Sequence, residues 1–187
     1  DVSNVTDMGS MFSYTNLSRE NQCAIQESFS TNTNWPYEWF CTFEVGDLAE
    51  GGIVFYVDES GQHGLVAAME DLGEYEWGCF GTELSGADGT SIGTGYQNTL
   101  DIVSGCSETP IAASEALAFM SDGYDDWYLP SENELLQIYN SIDGLSGVYW
   151  SSSEYNYIGA FVVNWYNAAS PSFSKNNSYN VRVIRAF

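Results

Sequence analysis

Four lysines and arginines stand against 26 aspartates and glutamates in this chain of 187 residues, a formal net charge of -22. The surface expected from such a chain is acidic and solvated, which keeps it soluble. Nucleic acid is excluded as a partner, because binding phosphate needs a basic footprint to displace its counterions. An anionic membrane surface repels the chain for the same reason. Ca²⁺, a hard cation that takes oxygen ligands, is the one cofactor the carboxylates make a candidate. No D-x-[DN]-x-[DN]-G loop with a distal Glu is present, so no metal ligand can be assigned.

Apolar residues make up 44% of the chain and aromatic residues 16%, enough for a substantial core. The length fits one domain with a short extra element. The longest apolar runs, such as 52–57 and 160–163, are far too short to cross a bilayer, so no membrane insertion is expected. Four cysteines, Cys23, Cys41, Cys79 and Cys106, lie far apart and form no C-x-x-C pair, which leaves zinc ribbons and thioredoxin-like motifs without support. An even count suggests disulfides, with three connectivities open. Pairing in chain order closes the shortest loops and is the first expectation; four buried free thiols are the alternative. Disulfides imply an oxidising, extracellular setting. A start at Asp1, with no initiator Met or signal peptide, is what a processed piece of a larger surface protein presents.

Residues 1–44 are rich in Ser, Thr and Asn and read as a leader or linker, and residues 45–187 as the globular domain. Residues 51–57 read as a buried strand, 58–64 as a turn-rich loop carrying the sole histidine, His63, and 65–69 as a second strand. The six glycines of residues 78–99 read as a long structural loop. It has neither the G-x-x-x-x-G-K-[ST] pattern of a phosphate loop nor G-x-G-x-x-G. Thr109-Pro110 is expected to open a helix with Ile111, Leu117, Ala118 and Met120 as its apolar stripe and Gly123 as its stop. A second helix opens at Ser131, where Ser131 and Glu134 form an S-x-x-E capping box. Strands are expected at 148–151, 160–165 and 181–185, with loops at 154–159 and 166–180. The sum is an α+β domain: two helices on an irregular antiparallel sheet with long loops.

Three stretches taken together resemble a known family. They are Trp127-Tyr128-Leu129-Pro130-Ser131 leading to Glu134-Leu135, Tyr149-Trp150-Ser151-Ser152-Ser153-Glu154, and Val181-Arg182-Val183-Ile184-Arg185-Ala186-Phe187. The pattern is similar to the C-terminal domain of a bacterial collagen-like adhesin, and its last part to the variable proteins of diversity-generating retroelements. That resemblance covers 45–187 and implies a C-type-lectin-like fold, in the branch of the formylglycine-generating enzymes. It further implies a cell-surface or extracellular location, or display on a phage particle. In such proteins a reverse transcriptase rewrites codons at template adenines, and the altered residues cluster on the ligand surface. Between Asn156 and Asn180 only Trp165 and Lys175 fall outside what an adenine-mutated Asn codon can encode. The opening Asp1-Val2-Ser3-Asn4-Val5-Thr6-Asp7-Met8-Gly9-Ser10-Met11-Phe12 resembles one unit of a bacterial surface-protein repeat, expected here as the stub of an upstream array.

The site expected from this reading is a non-catalytic binding surface. Its residues are Asn156, Tyr157, Ile158, Gly159, Val162, Tyr166, Asn167, Ala169, Pro171, Ser172, Phe173, Ser174, Asn176 and Ser178. Tyr offers large amphipathic contact area at low entropy cost, while Ser, Gly and Asn adapt their hydrogen bonds. Trp165, Arg182 and Arg185 are expected to support the scaffold, both arginines pairing with carboxylates. The ligand is an unidentified protein or glycan; a fixed-ligand adhesin module and a structural cap are the alternatives. The E-P-N, Q-P-D and W-N-D motifs of calcium-dependent sugar binding are absent, as is any cysteine after Cys106. Asp125-Asp126 and Glu132/Glu134 are the best candidates for paired catalytic carboxylates, and the capping box already accounts for Glu134.

Overall fold

The computed structural model describes residues 6–17, 19–37, 39 and 41–187. The part of the repeat motif at residues 1–5 lies outside them. The chain is α+β, with few helices packed on antiparallel and mixed sheets. Its first sheet has the order β1 (Leu48–Ala49), β2 (Gly52–Val57), β3 (Gly64–Ala67), β9 (Ile184–Ala186), all antiparallel. The second runs β4 (Gly73–Glu76), β8 (Ser178–Val181), β5 (Val148–Asn156), β6 (Gly159–Asn164), β7 (Ser172–Ser174). Within it β5 and β8 are parallel, Tyr149 facing Asn180, so the single antiparallel sheet expected above is corrected to two sheets, one of them mixed.

The expected last strand, 181–185, is two strands. Val181 ends β8 in one sheet and Ile184 starts β9 in the other, with Arg182 and Val183 crossing between them. An alternating apolar pattern continues across a change of sheet, so periodicity alone cannot mark the crossing. This crossing brings the three motif stretches together in space. Tyr128 and Ile184 exchange backbone hydrogen bonds of 2.8 and 3.0 Å, and Ser152 N–H donates to the Pro130 carbonyl at 2.7 Å.

Helix α4 (Glu132–Ser141) begins as expected: Ser131 N–H donates to Glu134 Oε2 at 2.7 Å, and the Ser131 hydroxyl accepts from Glu134 N–H. Leu135 and Ile138 are buried beneath it. Helix α3 (Ala112–Ala118) starts later than Thr109-Pro110, a cis peptide ahead of it. Ile111 is the N-cap, and its N–H donates to the Ser114 hydroxyl at 2.9 Å. Its inward stripe is Ile111, Ala112, Ala113 and Ala116, whereas Met120 is 72% exposed.

Two helices were hidden in the sequence. Helix α1 (Arg19–Phe29) has almost no aliphatic residues. Helix α2 (Gly95–Gly105) begins inside the stretch expected to be loop, and its buried side is Gly95, Asn98, Thr99 and Ile102. Three of those four carry no hydrocarbon signal, so the usual apolar period is missing. The inward polar groups are satisfied: Asn98 Nδ2 donates to the Gly89 carbonyl at 2.6 Å, and Thr99 Oγ1 accepts from Leu129 N–H at 3.1 Å. Gly95 is needed at the contact with α4, since a methyl there would lie 2.2 Å from Glu134 Oε2.

The core forms two clusters, one around Trp77, Trp127, Trp150 and Val162, the other around Phe55, Leu135, Ile138, Tyr149 and Val163. Adjacent residues of β6 thus enter different clusters, and both faces of that strand are covered. The indoles of the two clusters are satisfied as burial demands: Trp77 Nε1 donates to the Ser151 carbonyl and Trp150 Nε1 to the Tyr75 carbonyl, both at 2.9 Å, and Trp127 Nε1 to the Tyr124 carbonyl. The cysteines pair in chain order, Cys23 with Cys41 and Cys79 with Cys106. Near the first bridge, Gln26 pairs with both backbone groups of Trp39, and Phe12, Trp35, Tyr37 and Trp39 pack ring against ring.

Candidate ligand-binding face

Strand β5 departs from a regular ladder after Trp150. Trp150 faces Val162 and Glu154 faces Ala160, so four residues on β5 span two on β6. Ser151-Ser152-Ser153, all fully buried, stand against the single Phe161. A buried bulge must satisfy its own polar groups. Ser151 Oγ donates to the Phe161 carbonyl at 2.8 Å, Ser153 Oγ to the Gly89 carbonyl at 2.6 Å, and Ser152 Oγ accepts from Asn98. The Y-W-S-S-S-E motif is therefore scaffold.

Glu154 closes the bulge on Lys175, whose side chain is fully buried. Lys175 Nζ donates to Glu154 Oε1 and, at 2.8 Å, to the Thr82 carbonyl, and it lies 4.5 Å from the centre of the Trp77 ring. Both Glu154 oxygens accept from Leu84 N–H. The Lys175 backbone completes the junction: its carbonyl accepts from Trp77 and Gly78, and its N–H donates to Ile158. Gly81 N–H donates to the Tyr157 carbonyl at 2.8 Å. The glycine-rich loop, the β5–β6 turn and the β7–β8 turn are thereby locked together, with the Cys79–Cys106 bridge behind them.

On this frame the turn at 156–159 is fixed internally. Asn156 Oδ1 accepts from Ile158 N–H at 2.9 Å and Gly159 N–H at 3.0 Å, an Asx-turn. Its tip presents Tyr157, 54% exposed, beside Ile158. The loop after β6 uses the same device twice: Asn164 Oδ1 accepts from Tyr166 N–H and Asn167 Oδ1 from Ala169 N–H. Tyr166 is 79% exposed, while Trp165 before it packs against Tyr139 and Tyr149. Ser170 Oγ donates to Glu132 Oε1 at 2.6 Å, tying this loop to α4.

Of the fourteen candidate residues, Tyr157, Ile158, Tyr166, Asn167, Ala169, Asn176 and Ser178 are exposed. Asn156, Pro171, Ser172, Phe173 and Ser174 are half-buried, and Phe173 packs on the core beside Tyr179. Gly159 and Val162 are corrections: both are buried, because β6 lies between β5 and β7 with both faces covered. The turn at 156–159 and the loop after β6 are not neighbours: they sit at opposite ends of the six-residue β6, about 20 Å apart at the usual strand rise, while the turn of Asn176 lies beside the first. Two exposed aromatics on or beside the 156–159 turn escaped the sequence reading. Tyr155 is 58% exposed, and Phe80, in the glycine-rich loop hydrogen-bonded to Tyr157, is 51% exposed.

The remaining basic side chains of 42–187 also point inward. Arg182 Nε donates to Asp71 Oδ1 at 2.6 Å and Nη1 to the Ala68 carbonyl. Arg185 holds Asp126 by two bonds, of 2.6 and 3.1 Å, and lies over the Tyr124 ring. Asp126 is thus held by Arg185, Glu132 by Ser170 and Glu134 by the α4 cap. Burial raises the Glu134 pKa, opposed by the N–H groups of Ser131, Gly93 and Gly95. Burial also pushes Tyr149 up to about 12, its hydroxyl donating to Asp71 at 2.9 Å. Exposed His63 serves a turn, its carbonyl accepting from Asp58 N–H. Among the described residues the only close trio of metal-ligand types is Cys79, Cys106 and Glu108, and its two sulfurs are bonded to each other.

No family profile and no curated protein sequence matches the chain. Among solved structures, a fimbrial protein from Bacteroides ovatus ATCC 8483 aligns at a TM-score of 0.47 and 17% identity. The alignment covers 75% of this chain and 45% of that one, so the chain spans less than half of that protein's length. At that score the likeness carries no argument about fold or function.

Proposed function

We propose that the chain is a binding module of an extracellular or cell-surface protein, its ligand held by the exposed tips of the C-terminal segment on a C-type-lectin-like scaffold. The observation that carries this reading is the pair of exposed aromatics, Tyr157 and Tyr166, with the aliphatic Ile158 beside the first, on turns locked by Asn side chains and bolted to a buried frame. Rigid aromatic anchors are the usual source of affinity at such surfaces. The spread of the tips favours a macromolecular ligand. One protein–protein patch of about 800 Å² per partner reaches across both tips, whereas a small solute touches one. Two disulfides fit an oxidising setting.

The motif resemblance extends the proposal to a variable protein of a diversity-generating retroelement, with frame residues fixed and tip residues rewritten. Sequencing the DNA beside the gene tests it. The expected result is a near-copy of the segment encoding 149–187, differing only at adenines, next to a reverse-transcriptase gene. Finding neither would leave an adhesin module with a fixed ligand. The placement of the ligand is tested separately by replacing Tyr157 and Tyr166 with alanine. A folded double variant is expected, and loss of the fold would sink the surface assignment.

A further inference from the structure

A cleft of about 550 Å³ opens where the two sheets meet, bounded by Ile53 of β2, the loop after α4 and the side chains of Tyr149, Asn180 and Arg182. It is built from frame residues and lies apart from the tips. Its volume is within the range of small-ligand sites, about 300–1,000 Å³.

The guanidinium of Arg182 is the notable group here. The residue is 5% exposed, and its Nε and Nη1 are engaged by Asp71 and the Ala68 carbonyl. Among the described residues Nη2 has no acceptor, so a nine-tenths-buried side chain brings two unused N–H donors to the cleft. Asp71 cannot serve a ligand as freely, since its oxygens already accept from Arg182 Nε and the Tyr149 hydroxyl. Asp143 supplies the opposite charge. It also lines the cleft, is exposed, and makes no hydrogen bond or ion pair with the described residues.

We propose that this cleft binds a small zwitterion of amino-acid or dipeptide size, its carboxylate on Arg182 Nη2 and its ammonium on Asp143. A net anion is repelled by a chain of charge -22, and a net cation leaves the Arg182 donors unused. A ligand carrying both charges meets both groups. Ile53 offers an apolar wall for its side chain.

The test is a ¹⁵N-resolved titration of the whole chain with four probes: L-alanyl-L-alanine, its N-acetyl form, its C-terminal amide, and glucose. Dialanine is expected to shift the amides of Gly144, Leu145 and Ser146 saturably, binding about tenfold or more tighter than either singly charged form. Asp143→Asn, at an exposed and unpartnered position, should weaken dialanine binding about tenfold with an unchanged circular dichroism spectrum. Equal binding of a singly charged form overturns the zwitterion assignment. So does glucose acting on the same amides, an Asp143→Asn variant that binds normally, or no saturable shift at millimolar dialanine.

Discussion

The last part of the chain holds two kinds of polar residue in close succession, and they solve opposite problems. In the frame, Ser151, Ser152, Ser153, Glu154 and Lys175 are buried, each spending its side-chain polar atoms on another part of the chain. In the tips, Asn156, Asn164 and Asn167 spend theirs on their own turn and leave the neighbouring Tyr in solvent. Long-range polar bonds fix where the tips sit, and local ones fix their shape. A substitution in the frame is therefore felt throughout, whereas one at a tip alters only what is displayed.

Lys175→Met should separate the two most sharply. It strands Glu154 as an unpaired buried carboxylate and should cost about 3–5 kcal/mol in denaturant unfolding. Adding Glu154→Gln should recover much of that loss; if it does not, the ion pair is not what joins the three loops. Removing the second bridge, with Cys79→Ala and Cys106→Ala together, should cost about 3–4 kcal/mol for a loop of this length. A small change would mean that the hydrogen bonds alone hold the loop of Phe80.

Alkaline titration tests the frame at one atom. The folded pKa of Tyr149 is raised, so the folded state holds that proton more tightly than the unfolded chain. Its stabilising effect is complete below about pH 10 and is lost as pH rises toward about 12. Tyr149→Phe should cost about 1 kcal/mol at neutral pH and reduce the alkaline loss of stability, to which Tyr128 and Tyr124, also raised by burial, contribute the rest. An unchanged slope would remove Tyr149 as one of its causes. At the tips, Tyr157→Ala and Tyr166→Ala should each change stability by no more than about 0.5 kcal/mol. A larger loss at either would reassign that ring to the frame.

What the sequence made legible was local. The cap of α4 is contained in Ser131 and Glu134, and β2 and β3 announce themselves by runs of β-branched and apolar residues. Helix α2 was invisible because its inward side is largely Gly, Asn and Thr, which meet the Ser152 bulge, the Leu129 backbone and the α4 cap only on folding. Val162 was misassigned for a related reason: which faces of β6 are covered depends on strand order, a long-range property. Among the candidate residues, Tyr157 and Tyr166 were named correctly as exposed, but only the hairpin register places them at opposite ends of one strand. Phe80 left no signal, since its loop is brought to the Tyr157 turn by contacts between distant segments, among them Gly81 N–H to the Tyr157 carbonyl and the Cys79–Cys106 bridge.

The inward basic residues have one further effect. Trypsin cuts after lysine and arginine, and between residues 42 and 187 those side chains are only Lys175, Arg182 and Arg185, exposed by 0%, 5% and 8%. The folded surface there offers that protease nothing to hold. Digestion of this stretch must wait for opening, and its rate follows the open population when reclosing is fast. The ion pairs that bind the frame together also conceal it from a whole class of proteases for as long as it stays folded.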